Sequence, residues 1–296
     1  MKYVITGGAG HISTPLTEKL LNAGHEVTVI GRSAEKLQSL VNKGAKAAVG
    51  SVEDAAFVQA AFIGADAVYA MIPPNFATEN FRHYQNIVAR NYIDAIAENN
   101  IKNVVVLSSI GANMGNGAGP VDGLADFEGL LKKDNGINVK FLRPSYFMYN
   151  LFAMIPLIKG MNIAGSNFGS TDEKLALVHT SDIAAAAAEE LLALNFSGFS
   201  VRYIAGDEKT GAEIAEALSK AINKPGIPWV VFSDEQSFDG MKQAGLTVTM
   251  AEGYTAMGRA LREGKMQEDY WKNRPVLSTI KLDDFVKEFA GAFNAQ

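Results

Sequence analysis

The phenols of Tyr146 and Tyr149 and the hydroxyl of Ser109 are the groups of this sequence best placed to give a proton or a hydrogen bond to a reacting molecule. They stand just beyond two strand-like apolar runs, Asn103–Leu107 for the serine and Asn138–Leu142 for the tyrosines. A hydroxyl at such a point can donate to a developing oxygen anion, although a serine there equally serves to cap a loop. A second set near the start, Thr6-Gly7-Gly8-Ala9-Gly10-His11-Ile12-Ser13, has different chemistry. It follows an apolar strand-like run and precedes the amphipathic stretch Leu16 to Ala23. A helix N-terminus presents unpaired N–H groups and a partial positive charge, and glycines let a diphosphate come close enough to use them. The order therefore predicts a dinucleotide site, with Thr6, Gly7, Gly8, Gly10, His11 and Ile12 around the phosphates. Ser13 stands where a third glycine is usual, a small residue expected to loosen the packing slightly. An ordinary tight turn between strand and helix is the alternative.

A third set decides which dinucleotide. Glu26–Ile30 reads as the second strand and ends in Gly31-Arg32-Ser33, with Lys36 in the following helix. Sites that prefer NAD(H) place a carboxylate after this strand to bind the ribose hydroxyls. Here Arg32 offers a donor fork and Ser33 a hydroxyl, both suited to a 2′-phosphate, so NADP(H) is the expected cofactor. A solvated surface arginine is the plainer alternative.

These residues need a frame. Apolar runs at Ala45–Val49, Ala67–Met71, Asn103–Leu107 and Asn138–Leu142 alternate with helical patterns, which predicts a doubly wound parallel sheet covered on both faces. This is a Rossmann-type α/β fold. Its ligands lie beyond the carboxyl ends of the strands, which adds Ser51, Val52, Met71, Ile72, Pro73, Ser108, Pro144, Ser145 and Phe147 to the expected cofactor contacts. Phe81 to Asn99 reads as one long helix, whose His83 and Tyr84 either face the pocket mouth or, as the plainer reading, lie on its surface. The aromatic and methionine-rich stretch Tyr146 to Ile158 suits either a wall over a flat ligand or plain core packing. Asp182 resembles a helix N-cap ahead of an alanine-rich helix. The chain is read as a dinucleotide-binding domain over 1–150, its sheet open to completion by later strands, and a smaller α/β substrate lobe over 151–296. The lobe is given strands at Val201–Ala205 and Trp229–Phe232, and helices at Thr210–Ile222, Phe238–Gly245 and Glu252–Glu263.

Composition narrows the chemistry. There is no cysteine, which removes thiolate catalysis and disulfides, and the four histidines lack ligand-like spacing, so no metal is expected. A net charge of −5 without a basic cluster argues against nucleic acid. No apolar run has membrane-spanning length and no signal-like segment leads the first strand, so a cytoplasmic protein with no membrane partner is expected.

Together, Thr6-Gly7-Gly8-Ala9-Gly10, Arg32, Val105-Val106-Leu107-Ser108-Ser109-Ile110-Gly111-Ala112 and Phe141-Leu142-Arg143-Pro144-Ser145-Tyr146-Phe147-Met148-Tyr149-Asn150 resemble the NmrA-like family of atypical short-chain dehydrogenases/reductases. Val178-His179-Thr180-Ser181-Asp182 and Tyr203-Ile204-Ala205-Gly206 extend the resemblance over nearly the whole chain. It implies a Rossmann domain binding NADP(H), and either a reductase of quinones and related electron-poor compounds or a cofactor sensor that acts through a protein partner. The chain departs from the wider superfamily in one respect that matters. None of its nine tyrosines has a lysine four residues on, and between Val121 and Leu131 the only ionisable groups are Asp122, Asp126 and Glu128. Hydride transfer to an activated acceptor, helped by positioning, needs no such pair; the apolar segment beside Tyr146 favours that reading, with a small apolar acceptor as partner.

Overall fold

The computed structural model describes residues 1–133, 136–170 and 173–295. The first half of the chain alternates strand and helix as β1 (Lys2–Ile5), α1 (Ser13–Asn22), β2 (Glu26–Gly31), α2 (Ala34–Val41), β3 (Lys46–Val49), α3 (Ala55–Ala61), β4 (Ala67–Ala70), α4 (Phe81–Glu98), β5 (Asn103–Leu107), α5 (Asp122–Leu131) and β6 (Asn138–Pro144). With Phe199–Ile204 they build a seven-stranded sheet in the order Phe199–Ile204, β6, β5, β4, β1, β2, β3. Every pairing from β6 across to β3 is parallel. Parallel strands covered on both faces must be apolar throughout, and all four residues of β4 are buried. Above them Phe62 stacks on Tyr92, which leans on Phe127. Burying each such ring contributes roughly 2–3 kcal/mol.

The chain divides into two compact units. The first comprises Met1–Ser109, Gly123–Arg143 and Ile183–Arg202; the second comprises Ile110–Asp122, Pro144–Asp182 and Tyr203–Gln296. The units are thus interleaved along the sequence rather than separated by one cut near residue 150. The run expected at Val201–Ala205 as a strand of the smaller lobe is Phe199–Ile204, the edge strand of the large sheet. Local sequence shows that a segment is extended but not whose edge it joins, and here the Val139 N–H donates to Gly198 O at 2.7 Å to start the pairing.

In the second unit, Leu175–Val178 lies between Tyr146–Phe147 and Asp207–Lys209, parallel to the former and antiparallel to the latter. Ala164–Ser166 pairs with Trp229–Val231. The aromatic and methionine-rich stretch folds as the short strand Tyr146–Phe147, a 3-10 turn over Met148–Ala153 and a helix over Met154–Met161. Its Met148, Leu151, Met154, Ile155 and Ile158 are buried in the core, while Tyr149, Asn150, Ala153 and Pro156 are exposed. Asp182 lies inside the first turn of the helix Thr180–Ala193 rather than at its cap, and accepts from the Ser278 hydroxyl at 2.6 Å and the Ile280 N–H at 3.3 Å. The helix expected from Phe238 begins at Asp234, where Ser233 and Gln236 form a capping box. A final helix, Leu282–Ala295, buries Leu282, Phe285, Val286, Phe289 and Phe293, and Phe152 stacks on Phe289 at 6.0 Å.

One ionic knot fixes β5, α5 and β6 at the carboxyl end of the sheet. Buried Arg143 donates to both oxygens of buried Glu128, at 3.0 and 2.7 Å, while the Ser108 hydroxyl donates to the same carboxylate at 2.6 Å and Lys132 at 3.1 Å. Burial alone would raise the Glu128 pKa; the hydrogen bonds and charge of Arg143, with Ser108 and Lys132, outweigh it and hold the carboxyl below its ordinary range. Glu128→Gln removes the carboxylate charge that Arg143, Ser108 and Lys132 all bond and should cost about 3 kcal/mol in urea unfolding at neutral pH. Because the folded value is depressed, the stabilisation is complete above the ordinary glutamate value of 4.5 and is lost as pH falls through the folded value. Wild-type stability should therefore fall more steeply than that of Glu128→Gln below that pH.

Candidate cofactor and active site

The glycine loop sits in a cleft of about 260 Å³ at the carboxyl ends of β1 to β4, wholly within the first unit. Gly7 and Gly8 have φ of +97° and +58°, a region costly for other residues, and the Gly8 N–H donates to Ile30 O at 2.8 Å. A Cβ on Gly7 would lie 2.5 Å from the Ser13 hydroxyl oxygen. That hydroxyl donates to Thr6 O at 2.8 Å, so the residue at the third glycine position stitches β1 to α1 rather than loosening their packing. Gly10 differs from Gly7. Its φ is not positive, and an added Cβ would approach only Gly7 O, at 3.1 Å. The backbone does not require glycine there, and only Gly7 O crowds the space a Cβ would take.

The helix N-termini around the cleft differ in the same sense. Ser33, Asp54 and Asn80 accept N–H bonds at the starts of α2, α3 and α4, but the Ile12 side chain before α1 accepts none. No side chain caps α1, but the Thr14 N–H already donates to Gly10 O at 3.0 Å and Pro15 has none, so a diphosphate would be met mainly by N–H groups of the glycine loop. On the neighbouring wall Arg32 and Lys36 reach into the cleft from the end of β2 and the start of α2. Neither makes a side-chain hydrogen bond or ion pair among the described residues. Ser33 lies beside them and accepts the Lys36 N–H.

The opposite wall carries Ser51, Val52, Glu53, Pro73 and Tyr84. Ser51 accepts the Glu53 N–H at 3.2 Å, which shapes the turn. Glu53 was not among the residues expected here, and no motif marked it. Tyr84 is not on the helix surface but buried, its hydroxyl donating to Pro73 O at 2.8 Å. Burial, with a contribution from Glu53 and against the opposing charge of Arg32, pushes its pKa up to about 12. Tyr84 recurs with Val88, Tyr92 and Ala95 on one helical face, a spacing that could have placed it.

Other expected contacts lie elsewhere. Thr6 is fully buried and knots β1 to β4, accepting the Met71 N–H at 2.7 Å with its carbonyl partners, Met71 O and Tyr69 O, at 3.0 and 3.2 Å. Ser108 is buried and committed to Glu128, so it does not face a ligand. Ile12 and Ile72 are buried, His11 is exposed, and Met71 and Ser109 are half-buried. Pro144, Ser145, Tyr146, Phe147 and Tyr149 belong to the second unit. Pro144 and Ser145 are buried there, the Ser145 hydroxyl without a partner among the described residues; Phe147 is half-buried. Tyr146 stands edge-on to Phe168 at 5.3 Å, and burial, then Tyr254, hold its phenol protonated well above the ordinary value. Tyr149 is exposed and meets Phe152 edge-on at 5.2 Å. Among the described residues no cluster of three or more His, Asp or Glu could hold a metal, and no helix is long and apolar enough to cross a membrane.

A doubly wound parallel sheet with a glycine loop at its first strand is the architecture of a dinucleotide-binding domain. Residues 7–193 match the NAD(P)H-binding family, and the protein belongs to that family. The resemblance drawn from the sequence is borne out. An NAD(P)H azoreductase of Xenophilus azovorans is 24% identical over 251 residues, 84% of this chain and 83% of that one. Two solved structures share the fold: an NADPH-dependent quinone oxidoreductase of Escherichia coli, in complex with NADPH (TM-score 0.80, 21% identity, 97% of this chain and 99% of that one), and a Citrobacter triphenylmethane reductase in complex with NADP(H) (TM-score 0.79, 19% identity, 98% and 100%).

Because a Cβ at position 10 would meet only Gly7 O, at a tight 3.1 Å, Gly10→Val should fold with a lowered melting temperature yet lose binding of both NADPH and NADH. Fluorescence titration beside thermal melting checks this; wild-type affinity in the folded variant would remove the loop from the diphosphate site.

Proposed function

We propose that this protein is an NADPH-dependent reductase that delivers hydride to a flat, electron-poor small molecule of the quinone or azo class. The observation that carries the NADPH preference is the pair Arg32 and Lys36, two cations without ion-pair partners among the described residues, beside the glycine loop. An unpaired guanidinium at the ribose end of a dinucleotide cleft is matched by a 2′-phosphate, which it can meet with two parallel hydrogen bonds. The names of the relatives support the acceptor class: an azoreductase, a quinone oxidoreductase and a dye reductase.

When bound, the reduced nicotinamide supplies the hydride. The glycine loop with Gly10 ahead of α1 would hold the diphosphate, and Arg32, Ser33 and Lys36 would hold the 2′-phosphate. Tyr146 and Tyr149 are the proposed hydrogen-bond donors to the acceptor, with Ser109 as a further hydroxyl. Burial keeps the Tyr146 proton in place at neutral pH, and no lysine lies four residues on to lower its pKa. That phenol can orient and polarise an acceptor oxygen but is poorly suited to give up its proton, which a reduced quinone takes from water instead.

Two measurements test the reading. Arg32→Glu should weaken NADPH binding by roughly tenfold to a hundredfold while changing NADH binding little, the range for losing a charge-assisted contact; equal weakening of both would remove Arg32 from the phosphate. In steady-state turnover of a soluble quinone, Tyr146→Phe and Tyr149→Phe should each cost no more than about a hundredfold, the low end of what a positioned acid supplies. Complete loss in either folded variant would establish a true acid and carbonyl chemistry. Tight NADPH binding with no turnover of quinones, azo dyes or enones would instead make the protein a cofactor sensor.

A further inference from the structure

The cleft's far wall consists of turns at the ends of β3 and β4, and three side chains of α4 hold them. The Asn91 amide donates to Val52 O at 3.0 Å, the Tyr92 hydroxyl to Met71 O at 2.9 Å and the Tyr84 hydroxyl to Pro73 O at 2.8 Å. Positions 84, 91 and 92 are seven and eight residues apart, which places them on one face of the helix. Each accepting carbonyl lies beyond the last hydrogen-bonded residue of its strand, where the sheet supplies no donor. Two of the three, Val52 and Pro73, line the cleft directly. The third, Met71, packs against Gly7, whose missing Cβ would lie 2.9 Å from the Met71 side chain.

We propose that α4 sets cofactor affinity through Tyr84, Asn91 and Tyr92, which act as positioning residues for the wall that receives the adenosine half of the dinucleotide. This rests on the reading that the dinucleotide occupies this cleft. A loop whose carbonyls are pinned before the ligand arrives loses less freedom on binding, and the affinity gained is the ordering cost avoided. The three bonds come from one rigid element, so the Val52 and Pro73 turns are held in fixed relation to each other.

The helix also carries its own control. At its far end Asn99 donates to Gln59 O at 3.1 Å, a bond of the same kind to a carbonyl outside the cleft. Tyr84→Phe keeps the ring and removes only the hydroxyl; Asn91→Leu keeps the volume; Asn99→Leu removes the remote bond. The three purified full-length variants are melted and titrated with NADPH and with 2′,5′-ADP, which carries the adenosine half alone. Tyr84→Phe and Asn91→Leu should each weaken both ligands about fivefold, the effect of one net hydrogen bond, and Asn99→Leu should bind both as the wild type does despite a comparable loss of melting temperature. Wild-type affinity in the two cleft variants, with only stability reduced, would make the bonds merely structural and overturn the proposal. Equal weakening by Asn99→Leu would overturn it too, as a general softening of the helix. Failure of the wild type to bind 2′,5′-ADP while binding NADPH would instead remove the adenosine from this wall, and the cofactor assignment would survive it.

Discussion

The glycine loop ahead of α1, with no side chain capping the helix, is the constraint on which the rest of the cleft depends. Backbone N–H groups can meet a diphosphate only if no side chain intervenes and if the strand before them ends at the correct height. The absence of a capping side chain before α1 meets the first condition, and the absence of a Cβ at Gly10 adds to it. The knot of Thr6 with Met71 and the bond from Ser13 to Thr6 O meet the second by locking β1 against β4 and α1. Hydroxyls that look like ligand contacts in the sequence are thus the means by which the loop is held for the ligand.

Charge is arranged along the same sheet edge in two opposite ways. Around Glu128, burial is tolerable because Arg143, Ser108 and Lys132 together satisfy the carboxylate, so the charges cancel inside the protein. Arg32 and Lys36 make no ion pair among the described residues, and both stay in contact with water. A cation without a partner beside a helix N-terminus produces a local positive field in a protein whose net charge is −5. An anionic cofactor is attracted to that field while the rest of the surface repels it weakly.

The strands and helices of the first unit were legible because apolar runs of four to six residues alternate with helical periodicity, and in the second unit Thr210 marks a helix start. The glycine loop and Arg32 were legible because their chemistry is local. Side-chain direction was not. Thr6, Ser108 and Ser145 all follow strands, and position along the chain does not tell a hydroxyl that faces a ligand from one committed to a buried carboxylate or carbonyl. Tyr84 shows the converse, an inward residue of the cleft wall that its polar and apolar neighbours left open to either a pocket or a surface reading. Glu53 carries no local signature; it lines the cleft through the turn that Ser51 makes. The edge strand Phe199–Ile204 was legible as a strand but not as the partner of β6, since pairing across some sixty residues leaves no mark in either segment.

That edge strand bears on how the protein is made. The chain leaves the ribosome from its N-terminus, and β6 is complete at Pro144, yet the strand that covers its outer edge ends at Ile204. Throughout the synthesis of the intervening segment, much of which belongs to the other unit, β6 presents an unpaired row of backbone donors and acceptors. The nascent sheet can hold its cofactor loop from an early stage, because β1 to β4 are all in place by Ala70, but it stays open to strand addition by other chains until the return pass arrives. A protein truncated near residue 150 would keep that opening permanently.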